Sequence, residues 1–239
     1  ASAVLTLYDK EKLTIQDARG VIRMDAVLLQ RLAQITEEER ELLQGRGVDR
    51  ALYASGRAFE VDAAKMLEKG KLMSIRPHTR FAPFPRHSHN YVEIMYMCRG
   101  KTVHRIDGDA LVTLEAGELL FLNRHASHAI QRADAGDIAV NFIVLPQFFD
   151  EAFNMAGMDN VLSRFLLGEL YTGGAAVSYL HFRVREVLPV QNLVENMVWT
   201  LVNRQPGARR INQVTMGLLL LQLMHYTECI DMSRNGSIR

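Results

Sequence analysis

The chain has 239 residues, 48% of them apolar and 23% charged, and a formal net charge of +1. These proportions fit a globular protein and exclude a disordered, collagenous or disulfide-scaffold chain. Basic and acidic side chains nearly balance along the whole length, so no segment is the polycation expected of a nucleic-acid reader.

Two cysteines, Cys98 and Cys229, lead to the expectation of a reducing, cytoplasmic setting. The longest apolar run, Gly217–Leu221 extended past Gln222 to Met224, falls short of the roughly 20 residues a membrane span requires. No membrane partner is expected. The chain opens on Ala1-Ser2-Ala3 without a charged-then-apolar leader, which reads as a processed or engineered start.

Residues 1–70 read as a helical extension. Thr36-Glu37-Glu38-Glu39 has capping-box spacing, and Gly45 and Gly47 end that helix. Glu37–Glu41 reads as a solvated helix face, and Phe59–Glu68 as another short helix. Residues 71–146 change to short β-prone runs separated by turn residues: Leu72–Ile75, Tyr91–Cys98, Lys101–Ile106, Ala110–Leu114, Leu119–Leu122, His125–Gln131 and Ile138–Leu145. Such spacing predicts a sandwich or barrel. Residues 147–239 turn helical, with Gln147–Ala156, Asn160–Leu170, Arg185–Arg204 and Arg209–Cys229 as helices and Ala176–Phe182 as a returning strand. The last helix is Leu- and Met-rich nearly all round, which predicts burial in a core or interface and excludes a DNA-recognition helix.

Six of the eight histidines lie between His78 and His128. His87, His89 and Glu93 share parity, so on a strand two imidazoles and a carboxylate point to one side. With His128 as a fourth donor, this set suits one divalent transition metal such as Zn, Ni, Fe or Mn. Mutual hydrogen bonding among the same side chains is the alternative. Arg76, His78 and Arg80 alternate ahead of the motif and could meet an anionic or polyhydroxy ligand; a solvated strand face is the alternative. Tyr91 and Met95 share the parity of Glu93 and line the same interior, with His104 and His125 as pocket or rim residues.

His87-Ser88-His89, three residues, Glu93, six residues and Gly100 resemble the first cupin motif; Phe81 stands where that motif has a further glycine. Gly117, Asn123, His125 and His128 follow the second motif, with Asn123 in place of its proline, His125 in place of its glycine and Arg132 in place of its asparagine. The wider text resembles the effector-binding half of AraC-type transcription regulators over roughly residues 71–230: Arg80-Phe81, Pro85 to His89, Glu93 to Tyr96, Gly117 to Leu122, and Asn141-Phe142 through Leu145-Pro146.

The resemblance implies an α+β, mainly β fold: a cupin-type double-stranded β-helix jelly roll at 71–146, with dimerisation helices and linker at 147–239. It implies a small-molecule effector, a homodimer, and DNA contact only through a helix-turn-helix domain outside this chain. Val214, Leu218 and Leu221 are the expected dimerisation residues. It assigns no role to residues 1–70 and implies no catalytic residue. The other class of function is a metal-dependent cupin enzyme, an oxygenase or isomerase, built on His87, His89, Glu93 and His128. The two long apolar helices after the barrel favour the regulator.

Overall fold

A computed structural model describes residues 24–232. The fold is a jelly-roll barrel of two facing sheets with helices packed on one of them. In chain order the elements are α1 (Ala26–Leu32), α2 (Glu37–Leu43), β1 (Glu60–Val61), α3 (Ala63–Met66), β2 (Met73–Pro77), β3 (Phe84–His89), β4 (Val92–Arg99), β5 (Lys101–Ile106), β6 (Ala110–Glu115), β7 (Leu119–Leu122), β8 (Ser127–Ile130) and β9 (Ile138–Val144). There follow α4 (Asp150–Ala156), α5 (Val161–Leu166), the short pair β10 (Tyr171–Thr172) and β11 (Ala175–Ala176), β12 (Tyr179–Phe182), α6 (Leu188–Val202), α7 (Ala208–Leu223) and β13 (Ile230–Met232).

One sheet has the order β1-β3-β8-β5-β6 and the other β13-β12-β7-β4-β9-β2. Their burial patterns follow from what covers them. The outer face of the five-stranded sheet meets solvent, so β5 and β6 alternate: Thr102, His104 and Ile106 point in, whereas Lys101 and Arg105 point out. The six-stranded sheet is covered on both faces, and its central strands β4, β7 and β9 are buried almost throughout and mostly apolar. Ile94, Tyr96, Phe121, Phe142 and Phe182 pack outward with helical residues such as Val194 and Leu220. Met95, Met97, Leu120, Leu122 and Ile143 fill the barrel interior instead. Each fully buried large side chain contributes about 1.5–3 kcal/mol of transfer free energy.

The capping box forms: Thr36 Oγ1 accepts from the Glu39 N–H, and Glu39 Oε2 accepts from the Thr36 N–H. Glu39 corrects the reading of Glu37–Glu41 as a solvated face. It is buried, and its carboxylate holds Arg80 through Nε–Oε1 at 2.7 Å and Nη2–Oε2 at 2.9 Å. The expected helix Phe59–Glu68 is also corrected. Asp62 caps α3 through the Ala64 N–H, so helix starts only at Ala63, while Glu60 and Val61 pair in parallel with Ser88 and His89 on the edge of β3.

Strand β3 itself is absent from the expected runs because Pro85, Arg86 and Ser88 break an apolar period, and a register irregularity falls between Phe84 and His87. The expected strand Ala176–Phe182 shortens to β12, and Arg209–Cys229 divides at Leu223 into α7 and a 3₁₀ turn, Met224–Cys229. β13 then adds to β12, an element without a sequence signal of its own. The start at Ala1-Ser2-Ala3 lies outside the described residues.

Two backbone positions bear on the motif. Gly100 has φ of 79°, and a Cβ there would lie 2.2 Å from Asp137 Oδ1 and 3.0 Å from Asp137 Cα, so only glycine fits. Phe81, where the motif has glycine, takes φ of 72° without that freedom. Its N–H donates to the Ala133 carbonyl and its ring lies under the Arg80 guanidinium at 5.2 Å, contacts that offset a left-handed penalty of about 1–2 kcal/mol.

Candidate functional site

His87 and His89 lie on β3, His128 on β8 and Glu93 on β4. The expectation that His87, His89 and Glu93 share one strand face is therefore corrected. Asn90 and Tyr91 turn the chain between the two sheets, so Glu93 faces the histidines from the opposite sheet. His87 and His128 are cross-strand partners. The three imidazoles bring nitrogens within 4.8 Å of one another. His128 Nε2 lies 3.3 Å from His89 Nε2, and Glu93 Oε2 lies 3.4 Å from each of those nitrogens.

All four side chains are buried, and burial controls their charge. It lowers His87 to about 4, and drives His89 and His128 well below the usual imidazole value, with the neighbouring histidines adding to the effect. It raises Glu93 to about 7, against the Asn141 side chain, whose Nδ2 donates to Glu93 Oε1 at 2.9 Å. His87 Nδ1 donates to the Pro85 carbonyl at 2.8 Å. Among the described residues, three buried atoms in this cluster find no hydrogen-bond partner: Glu93 Oε2, His89 Nδ1 and Asn141 Oδ1.

Orphaned buried polar atoms are costly and call for a ligand or ion. Tetrahedral donors at about 2.1 Å from a zinc-sized ion stand roughly 3.4 Å apart. The separations among His89, His128 and Glu93 meet that requirement, and His87 supplies a further imidazole. The residues fit a divalent transition metal.

A cavity of about 40 Å³ adjoins the cluster. That is room for an ion with a few waters. Glu93, Asn141, Tyr91, His78 and Arg76 line it from the barrel, and Tyr53, Val61 and Met66 close it from the N-terminal region. Tyr53 is held by Glu38, which its hydroxyl reaches at 2.6 Å, and by Arg76, whose guanidinium lies 5.1 Å from the ring.

Of the expected ligand residues, Arg76, His78 and Tyr91 line this cavity. Arg80 does not. Its guanidinium is consumed by Glu39 and by the carbonyls of Ala33, Gln34 and Ala135. Met95 is interior packing, in contact with Thr102 through its sulfur. His104 stands behind His128. His125 leaves the pocket altogether: its Nε2–H donates to the Gly168 carbonyl at 3.1 Å, which ties the barrel to the turn after α5. Sequence reasoning passed over Asn141 and the N-terminal wall. Asn141 had a signal, since it is the one polar residue in the apolar run of β9; Tyr53, Val61 and Met66 had none.

On α7, Val214 and Leu218 are exposed together with Ile211, whereas Leu221 is half-buried. Of the expected burial in a core or interface, the core part is seen on one side: Met216, Leu219, Leu220 and Leu223 face the core, and Ile211, Val214 and Leu218 lie exposed on the other. Among the described residues no helix is long and apolar enough to cross a membrane.

Residues 74–153 match the family model described as the AraC-like ligand binding domain. No curated protein matches the chain. Among solved structures, an apo form of a ToxT point variant from Vibrio cholerae is similar at 11% identity and a TM-score of 0.50, over 72% of this chain and 62% of that one. The chain thus spans about three fifths of the ToxT length. A cupin protein from Bacteroides fragilis matches 30% of this chain and 64% of its own at 28% identity and a TM-score of 0.26. DMSP lyase DddQ from Ruegeria pomeroyi matches 29% of this chain and 36% of its own at 20% identity and a TM-score of 0.26.

Proposed function

We propose, from the AraC-like ligand binding domain at residues 74–153, that this chain is the effector-sensing and dimerising portion of an AraC-type transcription regulator. In this reading the barrel and its N-terminal wall sense a small molecule. Residues 147–239 carry the dimer contact, and DNA is read by a helix-turn-helix domain outside this chain.

The observation that carries the reading is the bare apolar stripe Ile211, Val214 and Leu218 on α7, a helix that packs on α4 and α6. A stripe of that kind fits self-association across a two-fold axis. The 40 Å³ cavity adds a condition on sensing. It is too small for a sugar-sized effector, so such a molecule must displace Tyr53, Val61 or Met66. A ligand that binds both arrangements equally shifts nothing, and the N-terminal wall is what gives the two states different affinity.

His87, His89, Glu93 and His128 would hold a divalent metal in the same barrel, where it would supply a Lewis acid. The remaining roles belong to the chain. Asn141 orients Glu93, Tyr91 and His78 shape the space above it, and the apolar interior excludes water. The converging donors and orphaned atoms also favour a second reading, a metal-dependent cupin enzyme, oxygenase or isomerase.

The test is to fuse residues 1–239 to a DNA-binding module that represses only as a dimer, with Leu218→Glu as control. Repression by the fusion, lost in Leu218→Glu, is the expected result; a fusion that fails to repress counts against the regulator reading. The unfused chain is expected to leave duplex DNA unshifted at physiological salt.

A further inference from the structure

Behind the cluster, the buried polar side chains continue in a line. His128 directs Nε2 at His89 and Glu93, and on the other side of its ring Nδ1 lies 3.4 Å from Nδ1 of His104. His104 Nε2 lies 2.9 Å from Thr102 Oγ1. Thr102 Oγ1 in turn lies 3.8 Å from the sulfurs of both Met95 and Met97. Thr102, His104 and His128 are all buried. The two imidazole planes are within 6° of each other with centroids 5.6 Å apart. Two rings stacked face to face would sit closer; this separation suits rings meeting edge to edge through an N–H···N bond.

Two nitrogens facing each other share one hydrogen, and which ring owns it depends on the far end of the line. A thioether has no hydrogen to give, so toward Met95 and Met97 the Thr102 hydroxyl is the donor. Its lone pair then accepts from His104 Nε2–H. A neutral imidazole has one N–H, so His104 Nδ1 is the acceptor and His128 Nδ1 is the donor. His128 Nε2 is left as a bare lone pair, aimed at the cluster. The opposite polarity, with Thr102 donating to His104, would place an N–H at His128 Nε2 and close the cluster to a cation. The two sulfurs work against it by offering the single Thr102 hydroxyl hydrogen an acceptor on the side away from His104.

We propose that His104, oriented by Thr102, is a positioning residue that holds His128 in the Nδ1–H tautomer and presents its Nε2 lone pair to His87, His89 and Glu93. The use of that lone pair for a metal rests on the reading of the cluster given above, whereas the tautomer does not.

The experiment follows histidine ¹⁵N shifts in the metal-free chain and Zn(II) affinity by competition with a chromophoric chelator. The wild type is expected to show His128 protonated at Nδ1. Thr102→Val keeps the shape and removes the acceptor. It is expected to move His128 toward Nε2–H and to weaken Zn(II) binding 10- to 100-fold, the usual effect of losing the partner that orients a ligating histidine. His104→Phe is expected to weaken binding similarly, and Thr102→Ser to restore both readouts. Wild-type His128 protonated at Nε2 overturns the proposal. So does a Thr102→Val chain that keeps both the wild-type tautomer and the wild-type affinity. A wild type that binds no Zn(II) yet shows the Nδ1–H tautomer, lost in Thr102→Val, supports the proposal and overturns the metal reading instead.

Discussion

On the six-stranded sheet, Ile94, Phe121 and Phe142 look outward onto helices, while Glu93 and Asn141 on the same strands look inward at three histidines. The outward face is apolar throughout, and it holds the fold by area. The inward face mixes Met95, Leu120 and Ile143 with side chains that are buried at a cost and partly unsatisfied. One sheet therefore carries apolar packing on one side and buried polar, titratable groups on the other, and a change on each face should be felt differently.

The largest expected effect is on the outward face. Phe121→Ala empties a fully buried ring site between sheet and helices, and should cost about 3–5 kcal/mol in urea unfolding. A loss under about 1 kcal/mol would break the comparison at its stronger side. The inward face should instead show itself through pH. Burial holds His78 at about 4 in the folded chain, below the usual value of 6.5. The folded state then resists a proton that the unfolded chain accepts. This contribution is fully present above pH 6.5, declines as pH falls, and is lost by about pH 4, a total on the order of 3 kcal/mol. His87, His89, His104 and His128 titrate in the same direction, so His78→Gln should shrink that part of a stability–pH curve by the share of one group and leave the rest; an unchanged curve would remove His78 as a contributor.

Smaller still is Asn141→Ala. It deletes a hydrogen bond to the Glu93 carboxylate and should cost about 1.5–3 kcal/mol in stability above pH 7. Last is the solvent side of α7. Leu218→Glu falls on an exposed side chain and should move unfolding of the single chain by less than about 0.5 kcal/mol, while abolishing self-association in sedimentation. If stability and assembly both stay the same, that stripe is ordinary surface.

The difference between the faces also explains what the sequence disclosed. Covered strands such as β4, β7 and β9 read as apolar runs, and Lys101–Ile106 and Leu119–Leu122 were placed residue for residue. The histidines stood out because so many buried imidazoles in one β segment have no packing reason. Phe84–His89 carried those histidines yet had no strand signal, since Pro85 and the polar residues mask the period. Arg80 looked like a ligand residue because its partner, Glu39, lies 41 positions earlier, and no local pattern announces a pair of that kind. For the same reason the wall formed by Tyr53, Val61 and Met66 was invisible, as contacts across a barrel mouth leave no periodic trace.

Strand β12 pairs with β7, whose last residue, Leu122, precedes Tyr179 by 57 positions along the chain. During synthesis from the N-terminus, β7 therefore emerges early and waits with one edge bare until Tyr179–Phe182 leaves the ribosome. Asn123 waits too, since its side-chain amide finds its acceptors only at Phe165 and Val177. An unpaired apolar edge is the part of a nascent barrel most prone to join a neighbouring chain. Release before Phe182 should yield aggregates through that edge; passage beyond it pairs β7, and the helices up to Leu223 and strand Ile230–Met232 must still follow to cover the outward face and the free edge of β12.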